Sequence, residues 1–245
     1  MTSFERQWQS RFERFATRHQ PDHLVSGWSA AGLRRRVAAF ETLLDRGLLG
    51  VGSRALELGC GAGTYVRMLA KRGHPVIGLD YSLPSLRRAV AADVPRVGRY
   101  VSGDASCLPF QDGSFRAVTC IGVLQALEGP ESALAEIARV LEPSGVAVVE
   151  TLNPWGPLAA FRRLSAFIQR QPTRLRYGSP RGVERTMASL GLRPVQRLSI
   201  LLPPRSVPGL ERALGQPWVV RALENVPGVR ALASQAYWIV GVKAS

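Results

Sequence analysis

Lysine, histidine, cysteine and long apolar runs are all scarce in this chain of 245 residues. The three cysteines, Cys60, Cys107 and Cys120, lack the spacing of a disulfide framework or a metal site, and they favour a reducing cytoplasm. No apolar run approaches the ~20 residues that span a bilayer. The first 18 residues hold four arginines and no apolar core of a secretion signal. We therefore expect a cytoplasmic protein.

Positive charge is abundant, and it is carried almost entirely by arginine. Lys plus Arg is 32 and Asp plus Glu is 18, so the formal net charge is +14. The excess lies in the flanks, since residues 1–36 carry +4, residues 154–185 carry +6 and residues 186–245 carry +5, whereas residues 54–150 are neutral. Such flanks suit an anionic substrate, a membrane surface or nucleic acid. Codon usage is an equally simple explanation of the arginine bias.

The middle of the chain alternates between short apolar runs and helical patterns. Strands are predicted at residues 54–59, 76–80, 99–103, 115–121, 145–151, 195–202 and 236–242. Helices are predicted at residues 4–18, 30–46, 64–72, 82–92, 131–141 and 181–190. This alternation predicts an α/β fold whose parallel sheet is covered by helices on both faces.

The most informative motif is glycine-rich and lies between the first strand and the next helix. The segment Glu57–Gly63 reads ELGCGAG. Glycines permit a sharp turn and a close approach of ligand to backbone, and the helix behind them presents free N–H groups. The dinucleotide pattern GxGxxG is not met, because Thr64 stands at its third glycine. The Glu57 carboxylate would repel a pyrophosphate and attract a cation.

Further polar groups follow the next strands. Asp80 ends the second strand, where a carboxylate can accept hydrogen bonds from a ribose diol. Asp104 follows the third strand and is suited to accept a hydrogen bond from an adenine amino group. Residues 120–125 lie at the carboxyl end of the fourth strand. All these features lie at the carboxyl ends of strands, where open α/β sheets bind ligands.

These segments resemble the class I S-adenosylmethionine-dependent methyltransferases, in particular the type 11 subgroup that includes ubiquinone- and menaquinone-biosynthesis-like enzymes. The resemblance covers roughly residues 50–153, with a weaker echo in the last two strands. It rests on ELGCGAG at Glu57–Gly63, VIGLD at Val76–Asp80, GDASCLPF at Gly103–Phe110, GSFR at Gly113–Arg116 and RVLEPSG at Arg139–Gly145.

The resemblance implies a Rossmann-like, doubly wound, seven-stranded sheet that is mostly parallel, with the last strand antiparallel. We expect an N-terminal helical cap at residues 1–48 and a methyltransferase domain at residues 49–245. Basic insertions are expected after the fifth and sixth strands, at about residues 154–180 and 203–233. The first insertion is a candidate acceptor lid that prefers anionic or lipid-linked molecules.

The same resemblance implies S-adenosyl-L-methionine as cofactor, S-adenosyl-L-homocysteine as product and no metal. The glycine loop would hold the methionine part of the cofactor, with Glu57 supporting the loop or the amino group. The acid after the second strand would bind the ribose, and the later segments would meet the adenine and the amino group. The implied cofactor-binding residues are Glu57, Gly59, Cys60, Gly61, Gly63, Asp80, Tyr81, Asp104, Ala105 and Ile121.

The catalytic residue is left unassigned by the sequence. Many relatives carry histidine where this chain has Gln125, so base chemistry at that histidine does not transfer. His19 and His23 lie between the first two helices, in a segment that often covers the site in relatives. His19, His23 and Gln125 are therefore the candidates. Trp28 and the arginines at 34–36 are candidates for closing the cofactor pocket.

We expect methyl transfer to a small-molecule or lipid-linked acceptor, such as a sugar intermediate, a quinone-like ring or a secondary metabolite. One alternative is an RNA or protein methyltransferase that docks through its arginine-rich flanks, which makes nucleic acid a less favoured partner. Another is a regulator that binds the cofactor without catalysis. An aromatic stripe in the first helix, at Phe4, Trp8, Phe12 and Phe15, favours packing on the core over contact with an anionic membrane surface. The chain is expected to be a monomer or a homodimer.

Overall fold

A computed structural model of the chain describes residues 3–17, 21–94, 96–170, 175–201, 216, 218–219 and 234–245. The predicted insertion at residues 203–233 lies almost wholly outside the described residues, and so does His19.

The described elements follow the predicted alternation of strands and helices. The helices are α1 (Ser3–Thr17), α2 (Asp22–Val25), α3 (Ala30–Asp45), α4 (Thr64–Lys71), α5 (Leu83–Ala92), α6 (Pro130–Val140), α7 (Pro157–Ile168) and α8 (Pro180–Ser189). The strands are β1 (Ala55–Leu58), β2 (Val76–Asp80), β3 (Arg99–Ser102), β4 (Phe115–Cys120), β5 (Leu141–Leu152), β6 (Leu192–Ile200) and β7 (Ala236–Lys243). A 3-10 turn at Leu124–Ala126 follows β4. No described helix is long and apolar enough to cross a membrane.

The seven strands form one sheet in the order β3-β2-β1-β4-β5-β7-β6. All neighbouring pairs are parallel except those of β7, which runs antiparallel to β5 and β6. Apolar side chains pack on both faces, with α3 and α4 contributing to one core cluster and α6 to the other. The predicted doubly wound α/β fold with an antiparallel last strand is therefore confirmed.

Local signals explain where several elements begin and end. The Ser82 hydroxyl accepts a hydrogen bond from the Ser85 N–H at 3.3 Å and caps the start of α5. Gly73 follows α4 with a left-handed φ of +82°, which a glycine adopts without strain.

Two strands depart from their predicted bounds by more than one residue, and both departures involve an interrupted ladder. β5 begins at Leu141, which pairs with Phe115 before a register shift, and the ladder resumes at Val146. The residues between these two positions are turn-forming and do not follow a strand pattern, so the sequence did not predict the earlier start of β5. β6 begins at Leu192 and includes Pro194, and its own register shift lies beside this proline. Because β6 is an edge strand, it tolerates a proline.

The order of the strands creates a crevice. The chain proceeds from β1 outward through β2 to β3 and then returns to β4 on the other side of β1. The connections that follow β1 and β4 therefore leave in opposite directions, and ligands of open α/β sheets bind outside the carboxyl ends of strands at such a point.

Candidate active site

A cleft of about 1100 Å³ opens at this crevice. Its floor comes from the loops after β1, β2, β3 and β4, and side chains of α1 and of the turn after α2 also line it. Most of the cofactor-binding residues inferred from the sequence line the cleft. They are Gly59, Cys60, Gly61, Asp80, Tyr81, Asp104, Ala105 and Ile121. Glu57 and Gly63 are the two ends of the glycine motif, and neither lines the cleft.

The glycine loop has a backbone shape that other residues would strain. Gly59, Gly61 and Gly63 all have positive φ, at +65°, +53° and +77°. A Cβ atom built on Gly59 would lie 2.3 Å from a methyl carbon of Val123, so the loop packs closely against the segment after β4. Burial raises the pKa of the Cys60 thiol well above its usual range, which keeps this loop cysteine protonated.

Asp80 ties the end of β2 to the glycine loop. Its side chain accepts the Gly61 N–H at 2.9 Å on one oxygen and the Ser82 N–H at 2.8 Å on the other. The residue is 8% exposed, and burial raises the pKa of its carboxyl group although both backbone donors oppose that rise. Each carboxylate oxygen can accept a second hydrogen bond, which leaves capacity for a ligand.

The charge of the cleft is opposite to that of the chain. Glu5, Asp80 and Asp104 line it, and its described lining residues include no arginine, lysine or histidine. The whole chain nevertheless carries a formal charge of +14. A carboxylate-lined cleft favours a cationic ligand and disfavours a pyrophosphate, which agrees with the inference drawn from the glycine motif.

Glu57 lies at the end of β1 and is fully buried. One carboxylate oxygen accepts a hydrogen bond from the Thr119 hydroxyl, and the other has no partner among the described residues. Burial raises the pKa of this carboxyl group well above its ordinary value, and the Thr119 hydrogen bond lowers it by less. Glu57 is therefore placed to support the glycine loop without lining the cleft.

Glu57→Gln is expected to raise the free energy of unfolding more at pH 8 than at pH 5. Because the folded pKa is raised, the folded chain binds this proton more tightly, and the associated stability is lost as pH rises from the unfolded pKa to the folded pKa. Glutamine imitates the protonated acid and removes this loss, which is worth about 1.4 kcal/mol for each unit of the pKa rise. Urea unfolding at the two pH values measures the effect, and an equal change at both would contradict it.

An ion pair holds α2 beside the glycine loop. The Arg67 guanidinium donates to the Ala62 carbonyl at 2.6 Å and to the Asp22 carboxylate at 2.9 Å. Helix α2 is thereby attached to the glycine loop.

A second cleft, of about 960 Å³, adjoins the first. Trp8, Phe12 and Trp28 line both clefts and so lie at their junction. The absence of a side chain at Gly122 leaves room for the Trp28 ring at this junction, because a Cβ atom there would lie 2.6 Å from the ring. Phe12 also contacts Tyr81 edge to face, with ring centroids 6.5 Å apart. The predicted role of Trp28 in closing the pocket agrees with this placement.

Gln125 is the only one of the three candidate catalytic residues that lines a described cleft. It lies in the second cleft, is 8% exposed, and its side-chain oxygen has no hydrogen-bond partner among the described residues. His23 lines neither cleft, although its carbonyl accepts the Trp28 N–H at 2.7 Å. His19 lies outside the described residues. Among those residues, no cluster of His, Cys, Asp and Glu could hold a metal ion.

A buried ion pair forms part of the wall of the second cleft. The Arg36 guanidinium of α3 donates to both oxygens of Glu150 on β5, at 2.7 and 2.9 Å. The Trp238 ring nitrogen donates to Glu150 at 2.8 Å, and Arg36 stacks on Trp28 at 4.1 Å. Burial lowers the pKa of Arg36, but the charge and hydrogen bonds of Glu150, with a smaller contribution from Tyr65, together raise it by more, so the guanidinium stays charged where it stacks on Trp28.

The position of the aromatic side chains of α1 in the lining of the clefts was not anticipated from the sequence. The stripe of α1 predicted packing on the core, and Trp8 is indeed 9% exposed, yet Trp8 and Phe12 also line the clefts. The stripe was the available signal, but periodicity cannot say which part of the fold a helix covers.

Comparisons with known proteins find similarity to methyltransferases in sequence and in fold. Residues 56–149 match the family described as "Methyltransferase domain". The chain is 39% identical over 100 residues to the demethylmenaquinone methyltransferase of Renibacterium salmoninarum, covering 40% of each chain. It is 26% identical over 152 residues to the ubiquinone biosynthesis O-methyltransferase of Psychrobacter cryohalolentis, covering 60% of this chain and 59% of the relative. The chain thus spans about half the length of these curated relatives.

A solved structure extends the likeness over almost the whole chain. Magnesium protoporphyrin IX methyltransferase from Synechocystis, solved with bound SAH, superposes with a TM-score of 0.68. The identity is 14%, and the match covers 98% of this chain and 96% of that one. At this identity the likeness establishes the fold.

Proposed function

We propose that this protein, whose residues 56–149 match the family described as "Methyltransferase domain", is a class I S-adenosylmethionine-dependent methyltransferase that transfers a methyl group from S-adenosyl-L-methionine to a small-molecule or lipid-linked acceptor. The observation that carries this proposal is the first cleft, which is lined by carboxylates in a strongly basic chain. S-adenosylmethionine is a sulfonium cation with a ribose diol, and both features match the lining.

The described residues fit this cofactor. The glycine loop leaves no room for a side chain at Gly59, so the backbone itself can contact the methionine part of the cofactor. Asp80 offers spare acceptor capacity to the ribose diol. Tyr81, Asp104 and Ala105 line the side of the cleft where the adenine would lie. When bound, the cofactor supplies an activated methyl group.

The second cleft is proposed to take the acceptor, because it shares its aromatic lining with the first. Trp8, Phe12, Trp28 and Tyr177 give it flat apolar surfaces, which suit a planar ring. Arg11 lines it as well, and its described lining residues include no carboxylate. A neutral or anionic ring compound of the quinone type fits this lining, and the two curated relatives act, by their names, on demethylmenaquinone and in ubiquinone biosynthesis.

The chain's own contribution to the reaction is mainly orientation. The aromatic side chains at the junction of the clefts exclude water and confine the acceptor beside the cofactor. Positioning of this kind can supply about 7–11 kcal/mol of a barrier. The unpartnered oxygen of Gln125 is suited to accept a hydrogen bond from an acceptor hydroxyl or amine and to fix its angle.

Gln125→Leu is expected to lower kcat/KM for the acceptor about 5- to 150-fold, because it removes this acceptor of a hydrogen bond, worth about 1–3 kcal/mol in a buried site. Binding of S-adenosylhomocysteine should stay within about twofold, since Gln125 does not line the first cleft. Steady-state kinetics and calorimetry measure the two effects. A parallel loss of both would show that the substitution disturbs the fold instead.

The proposed function is tested by methyl transfer from labelled S-adenosylmethionine into an extract of host cells, followed by separation into organic-solvent, small-molecule and macromolecular fractions. Label in the organic or small-molecule fraction is the expected result. Label confined to RNA or protein would instead indicate docking through the arginine-rich flanks. Binding of the cofactor with no label in any fraction would indicate a regulator without catalysis.

A further inference from the structure

Helix α7, within the first basic insertion, turns its largest apolar side chains towards solvent. Phe161, Leu164 and Ile168 recur at helical spacing on one face and are 56%, 59% and 70% exposed, and Phe167 beside them is 82% exposed. Ala159, near the start of the helix, is buried at 2% exposure. A surface helix usually buries its large apolar side chains, whereas these four of α7 face solvent.

A further large apolar side chain precedes the helix. Trp155, just before α7, is 74% exposed. Scattered apolar residues are normal on a protein surface, but a group of large side chains on one helix and its leading turn typically marks an interaction surface. We call these five residues the α7 face; they are Trp155, Phe161, Leu164, Phe167 and Ile168.

The charge around the α7 face has one sign. Arg163 is exposed on the same helix and Arg170 is exposed just beyond its end, and the Arg163 guanidinium lies 5.7 Å from the Tyr177 ring. No acidic residue occurs between Thr151 and Val183 in the sequence. A helix with Trp, Phe and Leu on one face and arginine beside it is typical of binding in the plane of an anionic bilayer surface.

The α7 face is also close to the proposed acceptor cleft. Gly156 and Ala159, from the start of α7, line the second cleft. One short helix therefore presents large apolar side chains to solvent and small residues to the cleft.

We propose that α7 docks on an anionic lipid bilayer. The α7 face enters the boundary between headgroups and acyl chains, and the neighbouring arginines meet lipid phosphates. Where the proposed methyl transfer holds, this docking selects acceptors that reside in the bilayer, because the second cleft opens beside the docked helix. The naming of the acceptor rests on the proposed function, whereas the docking does not.

The docking is tested by co-sedimentation of the full chain with sucrose-loaded vesicles, without cofactor or acceptor. Two compositions are compared, phosphatidylcholine alone and phosphatidylcholine with phosphatidylglycerol. We expect binding to the anionic vesicles that weakens with salt. The double substitution Phe161→Ser/Phe167→Ser should weaken it at least about tenfold, because two aromatic side chains lose their burial in lipid.

The matched control is Val51→Ser/Val94→Ser, which removes two apolar side chains that are 91% and 84% exposed elsewhere. Its binding to vesicles should equal that of the unchanged chain. Calorimetry with S-adenosylhomocysteine, applied to both double variants, verifies their folding and tests the proposed function separately. The proposal is overturned if the unchanged chain does not sediment with anionic vesicles, or if Phe161→Ser/Phe167→Ser sediments as well as the control. It is also overturned if the unchanged chain is a dimer that only this variant dissociates, since a second copy would then cover the α7 face.

Discussion

Glu150→Ala is expected to lower the free energy of unfolding by about 3–5 kcal/mol. Glu150 is fully buried and accepts hydrogen bonds from Arg36 and from the Trp238 ring nitrogen. Its removal leaves a buried guanidinium without its counter-charge and an indole N–H without an acceptor. The cost of such an orphaned charge exceeds the net value of the intact pair, because desolvation is no longer offset. Urea unfolding monitored by circular dichroism measures the change.

The double variant Arg36→Met/Glu150→Leu separates this explanation from a simple loss of packing. Removing both charges together should be far less destabilising than Glu150→Ala, since no unpaired charge stays buried. If the double variant is at least as unstable as Glu150→Ala, the orphaned charge is not the cause. Because Arg36 also stacks on Trp28, Glu150→Ala should in addition weaken binding in both clefts.

Asp80→Ala is expected to weaken binding of S-adenosylhomocysteine by roughly 1.5–3 kcal/mol, or about 10- to 150-fold in Kd. The substitution removes the proposed acceptor of the ribose hydroxyls. It also removes the acceptor of the Gly61 N–H, so the glycine loop loses its attachment to the end of β2. Isothermal titration of the two proteins measures the difference.

Two controls accompany this measurement. Asp45→Ala removes a carboxylate that is exposed on α3 and pairs with Arg72, outside the lining of both clefts, so its affinity should be unchanged. Asp80→Asn keeps the size of the side chain but directs an NH2 group toward one of two backbone donors. We expect it to bind nearly as poorly as Asp80→Ala, and full affinity in Asp80→Asn would contradict a role for the carboxylate charge.

The parts of the fold that depend on local signals could be predicted from the sequence. The glycine loop, the capping serine at Ser82 and the acid at the end of β2 all lie where the motif and the strand pattern indicate. The antiparallel last strand came from the resemblance, because periodicity does not report the order or direction of strands in a sheet.

The parts that depend on distant contacts could not be predicted. Arg36 and Glu150 are 114 residues apart, and nothing in either segment identifies the partner. The aromatic stripe of α1 was visible, but its position over the clefts depends on contacts with distant parts of the chain, such as that of Phe12 with Tyr81. Helix α7 was not among the predicted helices because its segment was interpreted as part of a basic insertion, and the orientation of its apolar side chains is a property of the folded chain alone.

We propose that the first cleft takes a cationic nucleoside and not a dinucleotide. Competition calorimetry on the full chain decides between the two, with S-adenosylmethionine titrated in the absence and then in the presence of excess NAD. We expect saturable binding of S-adenosylmethionine that NAD leaves unchanged, because the described lining offers carboxylates and no cationic side chain to a pyrophosphate. No binding of S-adenosylmethionine, or its displacement by NAD, would show that the cleft does not select a cationic nucleoside.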